Sequence, residues 1–217
     1  MDKRKIWLIV GLVGTYIMCQ AIADVGATKL VQVGKYLIPG GTFIFALTFT
    51  IRDIIHKRLG KEWARAAIII AACLNILMAG YFAIVARLPY PPFFELGEAW
   101  NAIFIIVPAI TIASIAAELV SELLDTEVYH VWKTRLPKAP QWSRVIASNA
   151  VALPVDSLIF AFLAFVILPP LFGAESLPVA AVWPIIGGQV IFKAIVTVVS
   201  LPLIYTVKDE QIDFTAG

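Results

Sequence analysis

Charge is scarce in this 217-residue chain: Asp, Glu, Lys and Arg make up 15% of it, against roughly 25% in soluble globular proteins. Cysteine and histidine are scarcer, at two residues each. Cys19 and Cys73 both fall in apolar stretches, which argues against a disulfide framework or a thiol-rich metal site. His56 and His130 belong to different segments, so no histidine pair converges on a metal. H-E-x-x-H, G-x-S-x-G and G-x-x-x-x-G-K-S/T are all missing, which excludes zincin, nucleophile-elbow and P-loop chemistry. An arginine-rich helix and a filter-like glycine loop, marks of a voltage sensor or channel, are missing too. The chain is therefore expected to be no enzyme, to hold no cofactor or metal and to bind no nucleic acid; its net charge of +2 carries no signal of its own, and its positive residues are topological.

Apolar sequence is abundant. Hydrophobic residues make up 60% of the chain, and the mean hydropathy is +0.88. Uncharged runs cover 6–23, 36–51, 66–86, 99–117 and 157–174, and Lys193 is the only charge between 176 and 207. Runs of about 18 such residues are long enough to cross a bilayer. The expected fold is a single all-α integral membrane domain, 1–217, with six spans at about 6–23, 39–56, 66–87, 100–124, 144–168 and 182–206. Segment 24–38 is too polar to span and too apolar for a free loop, and is expected to be a short surface or re-entrant helix. Lys3-Arg4-Lys5 with Ala21-Ile22-Ala23 imitates a signal peptide. The charge pattern, however, works with the first span retained.

Orientation follows from Lys and Arg in the loops. Lys3, Arg4, Lys5, Arg52, Lys57, Arg58, Lys61, Arg65, Lys133, Arg135, Lys138, Arg144 and Lys208 fall on one side, thirteen against three (Lys29, Lys35 and Arg87) on the other. Both termini are therefore expected in the cytoplasm, with the protein multi-pass in the plasma (inner) membrane. Trp7, Trp63, Trp100, Trp142, Trp183 and Tyr205 lie near span ends, as interfacial aromatic belts do.

Ionisable residues inside spans are costly and tend to face a bundle interior or cavity. Thr111, Ser114, Glu118, Glu122 and Asp125 share one face of the fourth span. They read as an acidic lining open to the cytoplasm, or else Glu122 and Asp125 simply sit at the wet end of the helix. Glu118 is the deepest of the three acids and is expected to act on release. Asn149 and Asp156 are two turns apart on the fifth span, with Pro154 freeing a backbone carbonyl nearby. Asp156 is roughly 18 Å in from Arg144, and Lys193 roughly 15 Å in from Trp183, so the two share the midplane. They form either a structural ion pair between spans or part of a substrate site. Thr42, Thr48 and Thr50 read most simply as bonding back to their own helix. Arg52, Asp53 and His56 read as an interfacial charge cluster.

Four stretches carry a resemblance: PGGTFIFALTFTIRDIIHKRLGK (Pro39 to Lys61), SELLDTEVYHVWK (Ser121 to Lys133), VIASNAVALPVDSLIF (Val145 to Phe160) and KAIVTVVSLPLIY (Lys193 to Tyr205). From about residue 20 to 206 the chain resembles the vitamin uptake transporter (VUT) family, also called the queuosine precursor transporter family. The resemblance implies import of a 7-deazaguanine such as preQ0 or preQ1. It also implies a fold like the membrane substrate-binding components of energy-coupling-factor transporters. One departure is Ser200-Leu201-Pro202, where the family often has Asp-Thr-Pro.

A guanine-like ring presents a ring N–H beside an exocyclic amine, a pair that one carboxylate accepts in bidentate fashion. On this reading Asp156 and Asn149 touch the substrate and Lys193 sets the charge state of Asp156. Asn149 or Gln189 meets the ring carbonyl, Phe43, Phe45 or Phe160 stacks on the ring, and Glu118 serves the release side. The partners implied are the small-molecule 7-deazapurine and the lipid bilayer. The alternative function is a non-catalytic membrane binding subunit that captures a vitamin-like ligand for a separate ATP-driven module. Small-residue pairs, Ala67 with Ala71 and Gly187 with nearby Ala194, suit packing against such an energising partner or a second copy in a homo-oligomer.

Overall fold

The computed structural model describes residues 3–206 except 137 and 140, with only the backbone described for 200–206. Helix α1 (Lys3–Gly26) leads through strands β1 (Leu30–Val33) and β2 (Tyr36–Pro39) to α2 (Thr42–Leu59) and α3 (Lys61–Val85). A short α4 (Gly97–Phe104) precedes α5 (Val107–Arg135) and α6 (Gln141–Phe162). Then follow a π-helical stretch (Leu163–Ile167), α7 (Pro169–Phe172) and α8 (Val179–Thr206). Lys208 lies outside the described residues, as do the side chains of Arg4, Asp53, Lys57, Lys61, His130, Lys133, Trp142, Arg144, Ser200, Leu201, Pro202 and Tyr205.

Among the described residues, five helical segments are long and apolar enough to cross a membrane: Lys5–Gly26, Glu62–Val85, Gly97–Asp125, Ile146–Ile167 and Val179–Val199. Much of their apolar surface faces outward. Along α3, Ile69, Leu74, Leu77, Tyr81 and Ile84 are all exposed, which only a lipid environment makes favourable. The expected second span differs from the other five. Pro39 closes a strand and the helix begins only at Thr42. Uncharged α2 therefore runs for ten residues, roughly 15 Å of rise, before Arg52, Asp53, Lys57 and Arg58.

Segment 24–38 is not a surface or re-entrant helix. After the end of α1 it is an antiparallel hairpin pairing Leu30 with Pro39, Val31 with Ile38, Gln32 with Leu37 and Val33 with Tyr36. Gly34, with φ at 59°, takes the first place of the two-residue turn, where the chain must turn through a conformation that suits glycine. Val31 and Val33 favour the extended backbone. The hairpin packs on α8. A Cβ added at Gly188 would lie 2.7 Å from the Leu37 carbonyl oxygen, so only glycine permits this approach.

The expected fourth span is broken between Phe104 and Val107, next to Pro108. Proline has no N–H to continue a preceding helix but fits a first turn. Helix α6 runs through Pro154 into the π stretch, where the Leu168 N–H donates to the Leu163 carbonyl at 3.0 Å, five residues back.

Two packed clusters hold the bundle. One joins Ile110, Ala113, Ala161, Phe165, Val182 and Ile185 of α5, α6, the π stretch and α8. The other joins Ile9 and Tyr16 of α1 with Ile55 of α2 and Ala64, Ala67 and Ala71 of α3. Ala67 and Ala71 are thus packed inside the chain, and Gly187 faces the Tyr36 ring.

Candidate functional site

The site begins with glycine. The end of α1 and the start of α2 meet backbone to backbone, and a Cβ on Gly41 would sit 1.9 Å from the Ala23 carbonyl oxygen. No other residue fits there. This contact places Asp24, which is 3% exposed, beside Thr42 and Phe45 in the wall of a cavity among α1, α2, α5, α6 and α8. The cavity and the open space at its mouth together measure about 360 Å³. Ala23, Ala27, Gly41 and Ala117 leave the room, and Phe45 and Phe160 supply ring surface. The polar wall consists of Asp24, Thr42, Ser114, Asp156, Gln189 and Lys193.

Asp156 and Lys193 form a buried ion pair between α6 and α8. The second carboxylate oxygen of Asp156 lies 3.3 Å from Ser121 Oγ of α5, whose one proton it shares with the Glu118 carbonyl at 3.1 Å. Lys193 Nζ lies 5.2 Å from the centre of the Phe45 ring, a cation–π distance. The pair is therefore held from α2 and α5 as well as from its own two helices.

Two other polar groups in the wall are unsatisfied. Asp24 Oδ2 and Gln189 Nε2 are buried, and neither has a hydrogen-bond partner. The Thr111 and Ser114 side chains face the Asp24 carboxylate from α5. An unpaired buried acceptor and an unpaired buried donor each cost about 1–3 kcal/mol, and here they border the same space.

Glu118 lies one residue beyond the cavity wall at Ala117 and is tied into a separate network. Tyr16 OH donates to Glu118 Oε1 at 3.3 Å, and Gln20 Nε2 lies 3.4 and 3.5 Å from its two carboxylate oxygens. Gln20 Nε2 also donates to Tyr16 OH at 3.1 Å. One turn further along α5, Glu122 pairs with Arg52 of α2, joining the two helices. Among the described residues no group of His, Cys, Asp or Glu is placed to hold a metal ion.

Of the residues singled out in the sequence, the cavity brings together Asp156, Lys193, Gln189, Phe45 and Phe160, with Thr42 and Ser114. Asn149 is half-buried on α6 and does not line it. Phe43 is 42% exposed and meets Phe192 edge-on at 4.9 Å. Thr48 bonds back to the Phe45 carbonyl at 2.6 Å. The sequence reading passed over Tyr16, Gln20 and Asp24. Their spacing of four puts all three on one face of α1, and that regularity was the signal available.

Residues 39–207 match the family described as "Putative vitamin uptake transporter". A relative from Bacillus subtilis (strain 168), named "Probable queuosine precursor transporter", is 25% identical over 190 residues. The match covers 86% of this chain and 78% of the relative. No solved structure matches the chain.

Proposed function

The chain belongs to the vitamin uptake transporter family, a multi-pass membrane transporter and not an enzyme, and from that premise we propose that it imports a queuosine precursor, a 7-deazaguanine such as preQ0 or preQ1, into the cytoplasm. The relative's name supplies the cargo class. The observation that carries the reading is the cavity wall: two aromatic rings, small residues and a few directional polar groups around Asp156, Lys193 and Gln189. A small planar heterocycle needs such a site, with ring surface for its faces and hydrogen-bonding groups for its edge. Glu118 and the Arg52–Glu122 pair lie toward the cytoplasmic end of this path.

The reading includes six crossings in the plasma membrane with both termini inside. Helix α2 is the sixth, its charged last turns at the cytoplasmic interface, where long basic side chains reach water. The test is uptake of a labelled precursor by the purified chain in liposomes, together with restoration of queuosine-modified tRNA in a precursor-uptake-deficient cell. Accumulation inside the liposomes and restored tRNA are expected. Folded protein that neither binds nor moves any 7-deazaguanine would overturn the cargo. Binding without movement would make the chain a capture subunit for a separate energising module.

A further inference from the structure

Two carboxylates border the cavity, and their surroundings divide the work between them. One oxygen of Asp156 is engaged by the Lys193 ammonium, and the other lies 3.3 Å from the Ser121 hydroxyl, which it shares with the Glu118 carbonyl. A ligand that displaced Lys193 from Asp156 would break a buried ion pair and leave a buried charge uncompensated. Asp24 is in the opposite condition. It is 3% exposed, its Oδ2 has no partner, and the groups facing it are the neutral Thr111, whose own hydroxyl is unpartnered, and Ser114, with the Glu118 carboxylate beyond. Gln189, 1% exposed, offers an unpaired N–H from the α8 side.

We infer that Asp24 and Gln189 read the polar edge of the cargo, with Asp24 accepting two adjacent N–H groups and Gln189 donating to a ring carbonyl. This rests on the importer reading above and assigns its specificity to residues that the Asp156–Lys193 pair does not include. The chemistry recognised is a fused heteroaromatic lactam whose ring N–H sits beside an exocyclic amine. Such a ligand satisfies the unpaired acceptor and the unpaired donor together. A ring without the amine leaves one Asp24 oxygen unpaired, and a site built to pair an N–H rejects an analogue lacking it. The rings of Phe45 and Phe160 are available to its faces. The Gly41 contact fixes the α1 end that presents Asp24.

The test compares binding of 7-deazaguanine, 7-deazahypoxanthine (which lacks the exocyclic amine) and a pterin to the purified full chain. A preference for 7-deazaguanine over 7-deazahypoxanthine of about 10- to 100-fold is expected, the worth of a hydrogen bond to a charged group. Asp24→Asn should remove that preference and Asp24→Glu should keep most of it, with monodisperse elution as the check on folding. A preference that survives intact in Asp24→Asn, or is missing from the unmodified protein, overturns the inference and leaves the import reading standing. If 7-deazaguanine does not bind but the pterin binds in an Asp24-dependent way, the cargo reading falls and the role of Asp24 stands. If none of the three binds, both fall. Should Asp24→Asn fail to fold, carbodiimide labelling of the unmodified protein decides. Protection of residue 24 by 7-deazaguanine, and much less by 7-deazahypoxanthine, is expected, and equal labelling with and without ligand overturns it.

Discussion

Lys193 serves two elements at once: its ammonium pairs with Asp156 of α6 and lies 5.2 Å from the centre of the Phe45 ring of α2. Both members of the ion pair are nearly sealed, at 4% and 5% side-chain exposure. Removing one partner leaves a buried uncompensated charge, which typically costs about 3–5 kcal/mol. Lys193→Met should therefore lower the unfolding temperature sharply, and the double change Lys193→Met with Asp156→Asn should recover most of the loss. Uptake should stay abolished in the double variant if the pair belongs to the transport site. Near-normal uptake by the double variant would reduce the pair to a structural tie between α6 and α8.

Gly41→Ala is expected to be among the most damaging small substitutions in the chain. The new methyl would stand 1.9 Å from the Ala23 carbonyl oxygen and 2.8 Å from its carbon, both backbone atoms that cannot rotate away. Helices α1 and α2 would have to separate, at a cost of about 1–3 kcal/mol or more, and Asp24 would move with α1. Gly11→Ala is the control, since nothing lies within 4 Å of its added Cβ. Thermal unfolding in detergent should show a clear drop for the first and little change for the second. Equal effects would mean that the α1–α2 contact is not the tight point of the fold.

How much of this was legible beforehand depends on the kind of signal. Length and hydropathy locate α1, α3 and α8 because lipid imposes a continuous apolar run on any spanning helix. The same rule misplaces the start of the helix expected as the second span. Pro39-Gly40-Gly41 reads as the outer end of a helix, whereas Pro39 ends a strand and the glycines carry a backbone crossing that no composition reveals. Asp156 and Lys193 stand out because each is a lone charge deep in an apolar helix. Asp24 does not, because it sits at the end of the first apolar run, where a charge looks like an ordinary boundary. Its burial depends on the hairpin and on Gly41, both set by tertiary packing.

The Arg52–Glu122 pair should matter for the transport cycle more than for stability. With side-chain exposures of 22% and 31%, the pair is partly screened, and such pairs contribute about 0–1 kcal/mol. It nonetheless joins α2 to α5 one turn from Glu118. Arg52→Glu should cut uptake with only a small change in unfolding temperature, and Arg52→Glu with Glu122→Arg should restore a substantial part of the uptake. No recovery in the swapped pair, with both proteins folded, would show that the contact itself does not govern transport.

Orientation is testable with single cysteines on a background lacking the native thiols, Cys19 being buried and Cys73 exposed. Glu95 and Lys138 are both exposed, in the connection before α4 and in that before α6. Glu95→Cys should react with an impermeant reagent from outside the cell, and Lys138→Cys only after permeabilisation. Labelling of both from outside would overturn the thirteen-to-three reading of the basic residues and the direction of the path with it.

Glu118 separates binding from turnover. It lies just outside the cavity and is held by Tyr16 and Gln20 of α1, the helix whose end carries Asp24. A change in this network is therefore positioned to couple the cavity wall to the Arg52–Glu122 contact one turn below. Glu118→Gln keeps the shape and an acceptor for Tyr16 OH but sets an amide donor against the Gln20 amide, loosening the α1–α5 tie. Equilibrium binding of the precursor should change by less than about threefold, since the directional groups that face the cavity are intact. Turnover in liposomes should fall about tenfold or more, by the measure that each 1.4 kcal/mol added to a barrier is a factor of ten. Tyr16→Phe, which removes the hydroxyl at the centre of the network, should slow turnover in the same direction by a smaller factor. If binding instead collapses in Glu118→Gln while the residual bound cargo is moved at the native rate, Glu118 belongs to the primary site and the release role is wrong.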